Sequence, residues 1–475
     1  MSIVANIARN TFYQAFSRFF GVIAGLLTVA LMTRYLGQTG YGYYTTIVAF
    51  LQFFGVLADF GLQMTTTKIL AEPETDNSQV FGNILALRII SSIIFLGSSV
   101  LIVWLLPYPL IIKQGISLAS FSFFFISLQS IFISIFQKNL AMAKVAISEI
   151  CSKIFLLLGV FLAVINNLGL LWIIVAIVAG NLIGFLILFF SSFKFFKFRP
   201  RIKLAIWRRI WKTMWPLALT IALTLIYFRA DTVILALFRP QNEVGLYGAT
   251  YKVLEVLVQF PYLFLGLILP LLTKFFLSNR LLFELIIQKS FELMMIIIMP
   301  MVFSVLILGD KIMVFIAGPE FLISGILLKI LIVAVALIYI GALFGYAIVA
   351  AELPKKMIKF YFIDAVISIV LYLIFIPQFS YWAAAVITVF TELIITIASY
   401  YVLKKYTRLK ITKWPIMAKT FLASLLMALA LLLLINQNLL TLIVIGLIIY
   451  LWALYLLRGF SKQQVLEVIN LRKYS

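Results

Sequence analysis

The chain has 475 residues, of which 64% are hydrophobic and only 11% are charged, and its formal net charge is +22. A soluble domain carries roughly 25% charged residues, so this composition excludes a soluble protein and predicts an all-α polytopic membrane protein. A transmembrane barrel is excluded too, because its strands would alternate lipid-facing and lumen-facing residues, and no such alternation occurs. Histidine is absent and Cys151 is the single cysteine. This excludes an intrachain disulfide and removes the commonest general base and metal ligand.

About fourteen apolar runs are long enough to cross a hydrocarbon core, which takes roughly 20 helical residues. The loops that separate them are short. These runs predict transmembrane helices near residues 12–34, 42–64, 83–106, 110–135, 145–166, 168–190, 213–238, 245–272, 288–308, 323–350, 357–376, 381–403, 414–435 and 438–457.

The loops alternate in charge along the chain. Lysine and arginine are concentrated in one set of loops and in the C-terminal tail, for example at Lys355, Lys356 and Lys404, whereas the opposite loops contain few cations. Cytoplasmic loops carry the excess of Lys and Arg, so both termini are expected in the cytoplasm. Most of the net charge therefore reflects topology, and no nucleic-acid partner is expected.

Residues 191–212, called the basic linker below, separate spans six and seven and read SSFKFFKFRPRIKLAIWRRIWK. They contain eight cations and no acid. Pro200 divides the stretch, and its second half is predicted to form a short helix in the headgroup region. Two interpretations remain open at this point: a surface-anchored connection between two halves of the protein, or a collar that attracts anionic lipid substrates.

A short pattern occurs twice along the chain. A tight turn with Gly37, Gly40 and Gly42 is predicted to join spans one and two, and Gly245 repeats Gly42 at an offset of 203 residues. An offset of six spans keeps both copies in the same membrane orientation, which predicts a parallel repeat. Two six-helix bundles are predicted, over residues 1–190 and 213–410, and the basic linker, residues 191–212, joins them. Two peripheral helices and a cytoplasmic tail are predicted over residues 411–475.

Three motifs lie in order around the first outer hairpin: Arg34-Tyr35-Leu36-Gly37, Gly40-Tyr41-Gly42-x-Tyr44 and Ala58-Asp59-Phe60-Gly61-Leu62. Together with the number of spans, they resemble the polysaccharide-exporter family. These are the Wzx-type O-antigen flippases of the multidrug/oligosaccharidyl-lipid/polysaccharide superfamily.

The resemblance implies a flippase that works by alternating access. Its implied substrate is an undecaprenyl-diphosphate-linked oligosaccharide, moved from the cytoplasmic to the outer leaflet for surface polysaccharides such as the O-antigen of lipopolysaccharide. It also implies a place in the cell inner membrane among membrane lipids, with a polysaccharide polymerase and glycosyltransferases as protein partners.

Ionisable residues inside the spans are the candidate functional residues, because each costs several kcal/mol in hydrocarbon unless it is paired or hydrated. Their depths along the spans predict two ion pairs, Arg18 with Asp59 and Asp231 with Lys252. Glu149 and Lys153 are spaced as an ordinary helical pair on span five. Five further residues have no evident partner in the sequence and are expected to line a water-filled cavity: Arg88, Arg229, Lys329, Asp364 and Glu392.

A diphosphate–sugar headgroup needs cations for its phosphates and aromatic rings for its sugar faces. The candidate substrate-binding residues are therefore Arg88, Arg229, Lys329, Arg18, Lys252, Tyr227 and Tyr251. The candidate coupling-ion residues are Asp59, Asp231, Asp364 and Glu392.

Enzymatic function finds no support in the sequence, and no cofactor or metal is expected. A membrane glycosyltransferase needs a carboxylate for acid–base or metal chemistry, commonly in an outer loop, but the first outer loop, Tyr35–Tyr41, contains no acid. An ion-coupled multidrug antiporter of the same superfamily is the second hypothesis, although a cavity for cationic drugs would be dominated by acids. The glycosyltransferase is the third.

The charge alternation leads to a first testable prediction about topology. Reporter fusions after Arg199 and after Lys410 are expected to report cytoplasm, and a fusion near Gly169 to report the outside, because the cations are concentrated in the loops around the first two sites. The opposite result at the three sites would overturn the predicted orientation.

Overall fold

A computed structural model describes residues 3–70, 76–407 and 414–459, apart from some side chains, chiefly those of residues 3–8 and 216–228. In this part of the chain the protein is all α-helical, as predicted, with no strand. One 3-10 helix, Pro319–Phe321, lies before α11. The α-helices are α1 Ile3–Asp59, α2 Leu62–Leu70, α3 Asn77–Leu105, α4 Leu110–Lys138, α5 Met142–Ile165, α6 Gly169–Ser192, α7 Leu204–Phe238, α8 Gln241–Leu257, α9 Gln259–Ser278, α10 Arg280–Ala317, α11 Leu322–Ala350, α12 Pro354–Thr407, α13 Trp414–Leu433 and α14 Leu439–Leu456.

The described helices account for fourteen membrane spans. Eleven apolar helical segments are long enough to cross a bilayer. Two of these, α1 and α12, have 57 and 54 residues and break at Gly37 and Ser380, so each supplies two spans. The helix α7 adds one more by its length of 35 residues. The predicted number of spans is therefore confirmed.

The first outer turn is tighter than predicted. Only Gly37 leaves the helical conformation, with φ 63° and ψ −173°, a region that glycine adopts at little cost. Gly40 and Gly42 are already helical, so the expected turn over all three glycines is wrong. The second predicted span is interrupted after Asp59, because the chain leaves α1 through Phe60 and Gly61, both at positive φ, before α2 begins.

Gly42 and its repeat Gly245 bring two helix starts into direct contact. A Cβ on Gly42 would lie 1.7 Å from the carbonyl oxygen of Gln241, and a Cβ on Gly245 would lie 2.0 Å from that of Gln38. Gln38 and Gln241 each precede their own glycine by four residues, so the contact is reciprocal between the two copies. Thr46 Oγ1 also lies 2.7 Å from Gln241 Oε1. We call this contact the glycine crossing.

The chain folds into two compact units. The first comprises Met1–Ala249 with Ile369–Ala384, and the second comprises Thr250–Ser368 with Ala385–Ser475. In the second unit, α13 and α14 pack on α10, where the Tyr450 hydroxyl donates to the carbonyl of Ile296 (2.6 Å). The predicted division into two bundles, a linker and two peripheral helices stays a prediction. One detail differs: the helix in the second half of the basic linker begins at Leu204 and continues into span seven as α7.

The glycine crossing predicts that Gly42→Ala is destabilising. The new methyl group would enter the space of a backbone oxygen, and overpacking of this kind costs about 1–3 kcal/mol. Gly21→Ala is the matched control, because Gly21 is helical with open space around its Cβ position, and alanine there should stabilise by up to about 1 kcal/mol. The measurement is thermal unfolding of the detergent-solubilised protein. Equal midpoints for the two variants would contradict the crossing.

Candidate functional site

Arg88 of α3 is the most deeply buried cation among the predicted site residues, with 1% of its surface exposed. Its guanidinium forms an ion pair with Asp59, donates to the carbonyl of Ala58 (3.1 Å) and donates to the Ser130 hydroxyl. Two predictions are therefore wrong, since Arg88 has a partner and the partner of Asp59 is Arg88 instead of Arg18. Arg18 lies exposed on α1.

Depth explains the different pairing. The helix α2 continues to Leu70, so Asp59 lies eleven residues before that end, and Arg88 lies eleven residues after Asn77, where α3 begins. The two residues therefore meet at the same depth of a helical hairpin. Sequence reasoning ended the second span near residue 64 and placed Asp59 too close to the membrane surface.

Hydroxyl groups of α3 and α4 surround the Arg88–Asp59 pair. Ser91 donates to the carbonyl of Ala58 (3.0 Å), and Ser92 and Ser127 share a hydrogen bond of 2.7 Å. Of the three guanidinium nitrogens of Arg88, Nε has no partner among the described atoms. Because Asp59 is 27% exposed at its side chain, the carboxylate is the more accessible half of this network.

Lys329 is also paired, in contrast to the prediction. Its Nζ lies 2.6 Å from Oδ2 of Asp310, and both side chains are partly exposed. The helix α10 extends to Ala317, so Asp310 lies on a helix beside α11 and not in a loop. Gly325 permits the approach, because a Cβ there would lie 2.5 Å from Cα of Asp310.

Asp231 of α7 is fully buried and is bound by uncharged donors. The Tyr247 hydroxyl donates to one carboxylate oxygen (2.5 Å), and the backbone and hydroxyl of Thr232 donate to the other (2.5 and 3.1 Å). Arg229, predicted to lack a partner, interacts electrostatically with this carboxylate.

The predicted Asp231–Lys252 pair is wrong, because Lys252 pairs with Glu255 on its own helix (2.7 Å). Tyr247 and Lys252 are five residues apart and so point about 140° from each other around α8. The helix therefore presents the tyrosine, and not the lysine, to Asp231. Tyr247 follows Gly245 by two residues, as Tyr44 follows Gly42, and this repeat was the signal that could have identified it.

Asp364 and Glu392 form a buried acidic group in the second unit. Asp364 is fully buried, and neither of its carboxylate oxygens has a donor among the described residues. Glu392 is 5% exposed, and it interacts electrostatically with Asp364 and with the phenol groups of Tyr262 and Tyr361. Two neighbouring buried acids are unusual, because burying a charge without a partner is costly.

The two remaining candidates differ in what the structure describes. Tyr251 is buried in α8, whereas the side chain of Tyr227 lies outside the described side chains. Within the described part of the chain, no cluster of three or more cysteines and acids could hold a metal ion. The site residues thus fall into local groups: Arg88 with Asp59, Arg229 with Asp231, Lys329 with Asp310, and Asp364 with Glu392.

A profile of the family described as "Polysaccharide biosynthesis protein" matches residues 7–276, more than half of the chain. The chain belongs to this family. The matched range contains Arg88, Asp59, Asp231 and both halves of the glycine crossing, and the resemblance found in the sequence is confirmed.

Relatives of this polysaccharide biosynthesis protein include the "Probable low-salt glycan biosynthesis flippase Agl15" of Haloferax volcanii, 23% identical over 422 residues and covering 85% of each chain. Among solved structures, the "Lipid II flippase MurJ, inward closed conformation" matches with a TM-score of 0.78 at 17% identity, over 92% of this chain and 97% of that one. An inward-facing multidrug resistance MATE family transporter of the MOP superfamily matches with a TM-score of 0.68 at 11% identity, over 83% and 96%. At these identities the structural likeness concerns the fold alone.

Removing one partner of the Arg88–Asp59 pair should strongly destabilise the protein. Asp59→Asn leaves an unpaired cation that is almost wholly buried, and breaking a buried pair costs about 3–5 kcal/mol. Arg88→Gln with Asp59→Asn should recover part of this loss. Glu255→Gln is the control, because its pair with Lys252 is partly exposed and such pairs are worth less than about 1 kcal/mol.

Thermal unfolding and folded yield in detergent measure these differences. If the double variant is no more stable than Asp59→Asn alone, the two residues do not act as a pair.

Proposed function

We propose that this protein is a flippase for lipid-linked oligosaccharide. The observation that carries the proposal is the family match over residues 7–276, supported by a relative over 85% of the chain whose name describes a glycan biosynthesis flippase. The finer proposals are that the substrate is undecaprenyl-diphosphate-linked and that it moves from the cytoplasmic to the outer leaflet of the inner membrane. Both termini would be cytoplasmic. A polymerase and glycosyltransferases would act beside this protein, which would itself catalyse no reaction.

The glycine crossing supports alternating access as the mechanism. It joins equivalent helix starts of the two repeats on the side predicted to face outward, and it has no side chain between the two backbones. A contact of this kind has two discrete arrangements, packed or separated, which is what a gate requires. In the proposed cycle the packed crossing closes the outer end, and its separation releases the headgroup to the outer leaflet.

Paired cations suit a transporter that must release its substrate. A bare cation in the membrane is costly, so Asp59 and Asp310 would keep Arg88 and Lys329 charged while the site is empty. A diphosphate would take over hydrogen bonds from the carboxylates, and charge-assisted bonds to phosphate are about twice as strong as neutral ones. Arg229 would act in the same way beside Asp231. The exchange keeps binding moderate, because each new bond replaces an existing one.

The acidic group of Asp364 and Glu392 supports ion coupling in the second unit. A buried carboxylate without donors needs a proton or a cation to balance its charge. We therefore assign the coupling ion to this pair in preference to Asp59 and Asp231, whose carboxylates already have donors. The same acids would serve the second candidate function, a cation-coupled multidrug antiporter, which the likeness to a MATE transporter favours at the level of fold.

The proposal is tested with purified protein in vesicles that contain a lipid-linked oligosaccharide with a labelled sugar. Wild-type vesicles should expose inner-leaflet label to an impermeant glycan-cleaving enzyme, whereas protein-free vesicles should not. A protein without this effect would overturn the flippase assignment, and export of a cationic dye by the same vesicles would support the antiporter.

The gate is tested in the same assay with Thr46→Cys and Gln241→Cys in a Cys151→Ser background. A short thiol cross-linker between the two new cysteines should stop flipping by holding the crossing packed. The uncross-linked double variant and cross-linker-treated Thr46→Cys are the controls. Unchanged flipping after complete cross-linking would contradict a gate at this end.

A further inference from the structure

The basic linker is packed against α3 of the first unit and is hydrogen-bonded to it. The backbone of Arg201 donates to the carbonyl of Gly82 (3.1 Å), and that of Lys203 donates to the Asn83 side chain (2.6 Å). A Cβ on Gly82 would lie 2.2 Å from the carbonyl oxygen of Arg199, so the linker lies directly on the first turns of α3. The positions of its cations are therefore set by ordered backbone.

Aromatic packing turns the apolar side of the linker inward. Phe198 is buried, with its ring centroid 5.0 Å from that of Phe81 and 5.5 Å from that of Phe132. Phe193 stacks on Phe198 at 5.2 Å with nearly parallel planes. Because the phenylalanines between the cations occupy the core side, the cations point away from it and are exposed.

The first turns of α7 have two distinct faces. Ile206, Ile210 and Met214 recur every four residues and pack into the core of the first unit. The opposite face carries Arg208, Trp211, Lys212 and Trp215, whose spacing of three and four residues aligns them on one side of the helix. Both tryptophans are 54% exposed. Exposed tryptophan beside Lys and Arg is typical of the membrane–water interface.

The linker and the first turns of α7 carry charge of one sign. All eight cations of the linker are exposed: Lys194, Lys197, Arg199, Arg201, Lys203, Arg208, Arg209 and Lys212. The sequence contains no acid from residue 150 to residue 230, so this part of the chain supplies no internal counter-charge. A surface with this charge complements a layer of phosphates.

We propose that the exposed face of the linker and of the first turns of α7 is a binding surface for anionic phospholipid headgroups. Arg208 and Lys212 bind lipid phosphates, and Trp211 and Trp215 enter the headgroup region. The ligand is a resident lipid and not the transported one, because one substrate molecule has one diphosphate whereas the cations are spread over an extended segment and two helical turns. The inference therefore stands apart from the proposed function.

The test compares headgroup-intact fluorescent phosphatidylglycerol and phosphatidylcholine for binding to the full-length protein in detergent micelles. Wild type should bind phosphatidylglycerol about 25-fold more tightly than phosphatidylcholine. Arg208→Gln with Lys212→Gln should remove most of this preference, since each cation near an anionic surface contributes about fivefold. Lys355→Gln with Lys356→Gln is the matched control. It removes two exposed neighbouring cations from α12 and should leave binding unchanged.

Unfolding midpoints in phosphatidylcholine micelles confirm that the variants are folded. Equal binding of the two lipids by wild type, or equal losses in the two double variants, would overturn the proposal. The double variant Trp211→Ala with Trp215→Ala distinguishes a lipid surface from a site for free phosphate. It keeps the cations but removes the rings that enter the headgroup region, so it should weaken phosphatidylglycerol binding. Displacement of the probe by inorganic pyrophosphate as effectively as by unlabelled phosphatidylglycerol would also overturn it.

Discussion

Direct backbone contact at the glycine crossing is the constraint on which the architecture of the first unit depends. Gly42 and Gly245 occupy equivalent places in two copies of one pattern, and each lies against the residue four before the other. Any side chain there would separate the two helix starts. Gly37 lies five residues before Gly42, and its positive φ breaks α1 there. The break lets the second half of α1 approach the start of α8.

Most of the candidate site residues that lie inside the membrane are neutralised or hydrogen-bonded by a nearby side chain. Arg88 and Lys329 each pair with an acid on a neighbouring helix, and Lys252 pairs with an acid on its own helix. Asp231 uses a tyrosine and a threonine instead. Asp364 departs from this pattern, since no described group donates to it. The proposed mechanism uses both arrangements: paired charges tolerate an empty site, and the buried acid binds the coupling ion.

The spans and the repeat could be predicted from the sequence, because apolar run length and a glycine pattern are local properties. The ion pairs could not. The partner of Asp59 depends on how far α2 continues beyond Gly61, and that of Lys329 depends on α10 continuing through Asp310. Both are questions of where a helix ends, which periodicity leaves uncertain by several residues. Tyr247 belongs to the repeated glycine pattern, but its contact with Asp231 could be predicted only by knowing which face of α8 meets α7.

The most direct measurement of the central claim uses cells that lack their own flippase for a lipid-linked oligosaccharide and express this protein. The quantity measured is the fraction of the oligosaccharide lipid that an impermeant reagent labels on the outer leaflet. The account predicts that wild-type protein raises this fraction well above that of cells with an empty vector, and that Gly42→Leu, at matched protein level, does not. Oligosaccharide lipid that stays on the inner leaflet with abundant, folded wild-type protein would contradict the account.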